Sequence, residues 1–145
     1  MFHYPIEFKL EIKNIENNSM VFSDLNSFNL SADIPKVFGG KERSLSPEDY
    51  YLFAMISCFF TTFLKLSEDK DLKYNIKNIT AKSVVDRGED SKPFVKKVFL
   101  SFNYSTDNSK NFIRLINFTK DNCFILNSVK TEFVLDFNED SYENI

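Results

Sequence analysis

A helix start followed by a long apolar run constrains this chain more than any other feature. In Ser46-Pro47-Glu48-Asp49, Ser46 can cap a helix and Pro47 suits its first position. Glu48 and Asp49 sit at the positive end of the helix dipole. Tyr50 to Leu66 then follows, almost entirely apolar. The run is apolar all round rather than along one stripe, so the predicted helix is central and buried on most sides. Ser57, Thr61, Thr62 and Lys65 interrupt it, and no unbroken stretch reaches ~18 apolar residues. It therefore reads as a core helix rather than a membrane span, and the rest of the chain must wrap around it.

The flanking segments supply strands for that wrapping. Ile6 to Lys13 alternates apolar and charged residues, as a strand with one wet face does, and the strand is read over 6–15. Asn17-Asn18-Ser19 signals a turn, Met20 to Leu25 a second strand and Phe28 to Ala32 a third. Residues 33–45, with Pro35 and Gly39-Gly40, read as a loop. Beyond the helix, Leu72 to Asp86 and Pro93 to Tyr104 alternate as strands around the turn Arg87-Gly88-Glu89-Asp90. Asp107-Asn108-Ser109 offers a cap to a second helix, with Phe112, Ile113, Leu115, Ile116 and Phe118 at helical spacing and an end near Thr119. Thr131 to Phe137 reads as a last strand, and 138–145 as an acidic, frayed tail. The order βββ–α–ββ–α–β defines an α+β fold with antiparallel hairpins. At 145 residues, without a linker or repeat, the chain is expected to be one domain.

Composition narrows the chemistry. Net charge is −3 with basic residues spread along the chain, which argues against a nucleic-acid surface. The first residues lack the basic and apolar regions of a signal peptide, so a cytoplasmic location is expected. The sole histidine is His3 and the only cysteines are Cys58 and Cys123. A Cys/His metal cluster and a Ser–His–Asp triad therefore both lack their parts. No metal or other cofactor is expected.

Two thiols remain as the distinctive groups. Cys58 lies mid-helix in the apolar run, and Cys123 lies 65 residues on, at the end of the second helix. One reading makes both small buried hydrophobes, the common state of free cysteine. The other makes them a peroxide-reactive pair, in which a thiolate becomes a sulfenic acid and a second thiol condenses with it to a disulfide. Such chemistry needs no histidine, but it needs a cation to lower one thiol pKa, because the helix dipole fades within a turn of the helix end. The only arginines are Arg43, Arg87 and Arg114.

Pro35-Lys36-Val37-Phe38-Gly39-Gly40, then Ser46-Pro47-Glu48, then Cys58-Phe59 resembles the signature of the OsmC/Ohr family. That family comprises thiol-dependent peroxidases of organic hydroperoxides and osmotically inducible relatives. Its helix start is followed, ten residues after the Glu, by the peroxidatic Cys and a Phe, and Glu48 and Cys58 have that spacing. Asp121-Asn122-Cys123-Phe124-Ile125-Leu126-Asn127-Ser128 resembles the family's resolving-cysteine segment, with Phe124 where many members have proline.

The resemblance implies an intertwined homodimer with antiparallel sheets around two central helices and its sites at the subunit interface. It implies Cys58 as peroxidatic and Cys123 as resolving, and a dithiol reductant such as a lipoylated protein. Family members use an N-terminal Arg to bridge the Cys and the Glu. This chain has none before Arg43, so Arg43 is the best substitute, with Lys36 or Lys41 offering only a point charge. Glu48 stands ~15 Å from Cys58 along a straight helix, so it would act through a bridging cation or across the dimer, or the helix must break. Among the 17 Phe, Phe38, Phe53, Phe59, Phe60 and Phe63 lie nearest the motif. Phe38, Phe53 and Phe59 are the candidate lining of a pocket for an alkyl tail. The expected activity is reduction of organic hydroperoxides through a Cys58–Cys123 disulfide. The alternative is a non-enzymatic relative that binds a lipophilic ligand or senses oxidation.

Overall fold

The computed structural model describes residues 12–16, 19–22 and 30–141. The chain forms two compact units, 1–50 and 51–145, whose boundary falls within the first turn of the long helix.

In the first unit, β1 (Ile12–Glu16), β2 (Ser19–Phe22) and β3 (Ser31–Asp33) form an antiparallel sheet in that order, with an irregularity between Ile12 and Asn14. Three strands were expected here. The beginning of the first, the Asn17-Asn18 turn, the end of the second, the start of the third and His3 lie outside the described residues. The segment read as a loop contains a 3-10 turn at Lys36–Phe38. Gly39 ends it with φ 83°, a left-handed conformation that glycine adopts without a Cβ penalty. Gly40 is required by space, since a Cβ there would lie 1.9 Å from the Ile34 carbonyl oxygen.

Helix α1 (Pro47–Ser67) begins as the sequence predicts. The Asp49 amide donates to Ser46 Oγ at 3.1 Å, and Asp49 Oδ2 accepts from the Ser46 amide at 2.9 Å. This reciprocal pairing is a capping box with Asp in place of the usual Glu. Ser46→Ala is expected to lower stability by about 1 kcal/mol, measurable as a shift of the thermal midpoint.

By length and composition α1 is apolar enough to cross a membrane, a test that a core helix also passes. Here Phe59 and Phe63 lie in the protein core. The expectation of burial on most sides is not met within the single chain. Met55, Phe59 and Phe63, at helical spacing, are fully buried, whereas Phe53, Thr61 and Leu64 are exposed.

In the second unit, β4 (Tyr74–Arg87) and β5 (Pro93–Thr106) make a long antiparallel hairpin. Helix α2 (Ser109–Asn122) and a short α3 (Phe124–Ser128) lead to β6 (Glu132–Glu139). The sheet order is β4-β5-β6. Two results differ from expectation. First, β6 pairs parallel to β5, so this sheet is mixed rather than antiparallel. A parallel partner needs a crossover of a dozen or more residues, and α2 with α3 provides it. Second, 138–141 is not a frayed tail. Glu139 ends β6, and Asp140 accepts from Lys77 Nζ at 3.1 Å and Asn103 Nδ2 at 3.0 Å. Residues 142–145 lie outside the described part.

The core of this unit forms where alternate β5 residues meet helix stripes. Leu100, Phe102 and Tyr104 face Phe59 and Phe63 of α1 and Phe112, Leu115 and Ile116 of α2. Phe112 stacks on Tyr104 with ring centres 4.2 Å apart. α2 buries Phe112, Leu115 and Ile116 of the predicted stripe but leaves Ile113 and Phe118 exposed, and it runs three residues past Thr119, to Asn122.

Candidate active site

Two helices bring the cysteines together. Cys58 lies in the middle of α1 at the edge of its buried stripe and is half-buried, with exposed Thr61 one turn on. Cys123 continues the buried stripe Phe112, Leu115, Ile116, Thr119 of α2 and is fully buried. It adopts an extended conformation, φ −77° and ψ 112°, and so ends α2 and begins α3. Both thiols are free, and the Cys58 side chain is a near neighbour of that of Cys123. Ser57 and Thr61 do not compete for them. Ser57 Oγ donates to the Ala54 carbonyl at 3.3 Å, and Thr61 Oγ1 donates to that of Ser57 at 2.8 Å.

Burial pushes the Cys123 thiol up to about 11 from an ordinary 9.0, the Leu126 and Ile125 amides opposing the shift and the neighbouring Cys58 adding to it. Cys123 is therefore a protonated thiol at neutral pH. The shift has a consequence for stability. Between pH 9 and 11 the unfolded chain loses this proton while the folded chain keeps it, so stability falls as pH rises. The full loss from this group is about 2–3 kcal/mol. Denaturant titrations at pH 8 and pH 10.5 should show a steeper alkaline loss for the native protein than for Cys123→Ala.

The charged candidates belong to the first unit. Asp33, nearly fully buried, accepts from the Arg43 amide at 2.9 Å, from Arg43 Nε at 3.0 Å and from the Ile34 amide at 2.8 Å. The Arg43 amide and guanidinium hold the Asp33 carboxyl below its ordinary range. Arg43 thus closes the loop that carries Gly39-Gly40. Sequence reasoning missed Asp33, because a contact across ten residues through a turn leaves no local pattern. Among the described residues, Glu48 Oε2 is buried without a hydrogen-bond partner, as is Ser44 Oγ. α1 is unbroken between Glu48 and Cys58, so the ~15 Å rise between them holds. Lys36 pairs with Glu42 at 3.7 Å, and Arg87 donates to the Ser91 carbonyl at 2.7 Å.

The three candidate pocket phenylalanines differ in setting. Phe59 is fully buried and packs on Phe60 and Phe133 at 5.4 and 5.6 Å, whereas Phe38 and Phe53 are 59% and 69% exposed. Two surface hollows occur in the second unit. One, of about 820 Å³, lies beside Lys70, Leu72, Arg114 and Phe118, and the other, of about 360 Å³, beside Lys82, Phe99, Ser101 and Asp136. Neither lining includes a cysteine or any of the three. Among the described residues, no three or more His, Cys, Asp or Glu gather as a metal site.

The fold has relatives among solved structures. An OsmC-like protein of unknown function from Vibrio cholerae matches with a TM-score of 0.71 at 21% identity, over 83% of this chain and 84% of that one. An organic hydroperoxide resistance protein from Elizabethkingia anophelis, with crystallant-derived thiocyanate bound, matches with a TM-score of 0.72 at 15% identity, over 96% and 100%. A candidate organic hydroperoxide resistance protein from Vibrio cholerae, with captopril in one of its active sites, matches with a TM-score of 0.63 at 14% identity, over 93% of each chain. No curated protein matches. These likenesses define the fold class. The family model for OsmC-like proteins matches residues 39–138, and the chain belongs to that family.

Proposed function

We propose that the protein is a thiol-dependent peroxidase that reduces organic hydroperoxides. The observation that carries this reading is the adjacent pair of thiols with unequal burial. Cys58, the more open thiol, attacks the peroxide O–O bond as a thiolate and becomes a sulfenic acid, releasing the alcohol. Cys123, already within reach, condenses with it to a disulfide and expels water. A dithiol then restores both thiols.

Arg43 and Glu48 are assigned to activation. Arg43 brings a rigid cation whose Nε is oriented by Asp33, and Glu48 brings a buried carboxylate oxygen that lacks a donor among the described residues. Phe38, Phe53 and Phe59 are assigned to the alkyl tail of the substrate. The exposed apolar residues Phe53 and Leu64 on α1 support burial of that helix edge in a homodimer.

The test is consumption of cumene hydroperoxide in the presence of a dithiol, with size-exclusion chromatography for the dimer. Consumption no faster than with dithiol alone would remove the peroxidase reading. The engagement of Arg43 by Asp33 favours one competing reading, a relative that binds a lipophilic ligand without turnover. An ordinary Cys58 pKa together with tight binding of a fatty-acyl probe would support that reading.

A further inference from the structure

A second chemistry is open to the same two thiols, one in which no electrons are transferred. We propose that Cys58 and Cys123 together capture trivalent arsenicals that carry one apolar organic group, binding arsenic through both sulfurs. The capture goes beyond the peroxidase reading and shares with it only the pair of neighbouring thiols.

The donor set selects the ligand. Cys58 packs against the cluster that holds Cys123, and the two side chains are near neighbours. Among the described residues, no three or more His, Cys, Asp or Glu gather as a metal site. Among those donors the site therefore offers two sulfurs and nothing more. Structural zinc takes four ligands and would lack half of them. Soft centres suit thiolate sulfur. An arsenic that already carries one carbon group has two bonds left, which two sulfurs fill. Cys123 is fully buried in a cluster with Phe59, Phe63, Leu115 and Ile116. An unpaired charge is costly in such surroundings. The arsenic adduct is neutral and its organic group is apolar like the walls, whereas a bis-thiolate of monovalent copper is an anion.

The proton balance favours the same choice. Soft metal cations, mercury and copper included, bind thiolates and must expel the thiol protons. Burial opposes that loss at Cys123, whose pKa is raised to about 11. An arsenical reacts with the thiols as they stand. Each As–O bond breaks, an As–S bond replaces it, and the thiol proton leaves with the oxygen as water. Arsenic stays trivalent and neither sulfur is oxidised, so no oxidant or reductant is consumed. The adduct closes whichever thiol reacts first. The second bond forms within one molecule, which holds arsenic far longer than a single thiol does.

The test uses phenylarsine oxide, one equivalent per chain, on the reduced native protein at neutral pH. Here the two thiol protons leave with the oxide oxygen as one water. Intact mass should show one phenylarsenic group per chain, and peptide mapping should join the Cys58 and Cys123 peptides of a single chain. Thiol titration in denaturant should find neither cysteine until 2,3-dimercaptopropanol is added, and both afterwards. Cys58→Ser and Cys123→Ser, each checked for a native thermal midpoint, should surrender arsenic to glutathione at least about a hundredfold more readily than the native protein, since they lose the second attachment. Retention by either variant equal to that of the native protein overturns the inference. So does a bridge between cysteines of two chains, or an adduct that forms only after denaturant opens the fold. Capture by a protein that does not consume hydroperoxide preserves this inference and defeats the peroxidase proposal, and consumption without capture does the reverse.

Discussion

Cys58→Ser should reduce hydroperoxide consumption by at least about a thousandfold, the scale on which loss of a nucleophile acts. The hydroxyl that replaces the thiol has no accessible anion at neutral pH and cannot form a sulfenic acid. Because Cys58 is half-buried and serine is nearly the same size, the thermal midpoint should stay close to that of the native protein. Cys123→Ser should behave differently. The first attack survives, but the sulfenic acid has no internal partner, so turnover depends on external thiol and Cys58 drifts to sulfinic acid under excess peroxide. Initial rates and intact mass distinguish the two variants. Equal activity of Cys58→Ser and the native protein would end the assignment of Cys58 as attacker.

The largest loss of stability should come from Phe112→Ala, about 3–5 kcal/mol in denaturant unfolding. Phe112 is fully buried and joins three elements. It stacks on Tyr104 of β5 at 4.2 Å, meets Phe63 of α1 edge-on at 5.7 Å, and lies 6.0 Å from Tyr74 of β4. Its removal leaves a cavity lined by stiff rings that cannot collapse into it. Phe118→Ala on the same helix is the control, because Phe118 is 54% exposed and should change stability by no more than about 0.5 kcal/mol. A loss below about 1 kcal/mol for Phe112→Ala would mean that this aromatic cluster is not the core of the second unit.

The two cysteines show why the site was only partly legible. The resemblance around Ser46-Pro47-Glu48, Cys58-Phe59 and Asp121-Asn122-Cys123 named the pair correctly as neighbours. Nothing along the chain distinguished their burial, which decides their chemistry. Cys123 falls at the end of the second helix as expected, but only the structure shows that the end of α2 carries it into the core. Arg43 stood out because arginine is scarce, but its partner Asp33 is set by how 34–42 folds back, which depends on Gly39 and Gly40.

Local chemistry determined the start of α1, the hairpin of β4 and β5, and the apolar stripe of α2. Each rests on contacts within a few residues or on a repeat of 2 or 3.6. The sequence also limited the reactive groups to two thiols. Only the tertiary structure decided that β6 runs parallel to β5, that α1 buries one stripe while its other edge stays open, and that Cys123 is sealed while Cys58 is not. Those outcomes depend on which distant surfaces meet. A run such as Tyr50 to Leu66 is apolar on every side, so its own residues do not specify which side the rest of the chain covers.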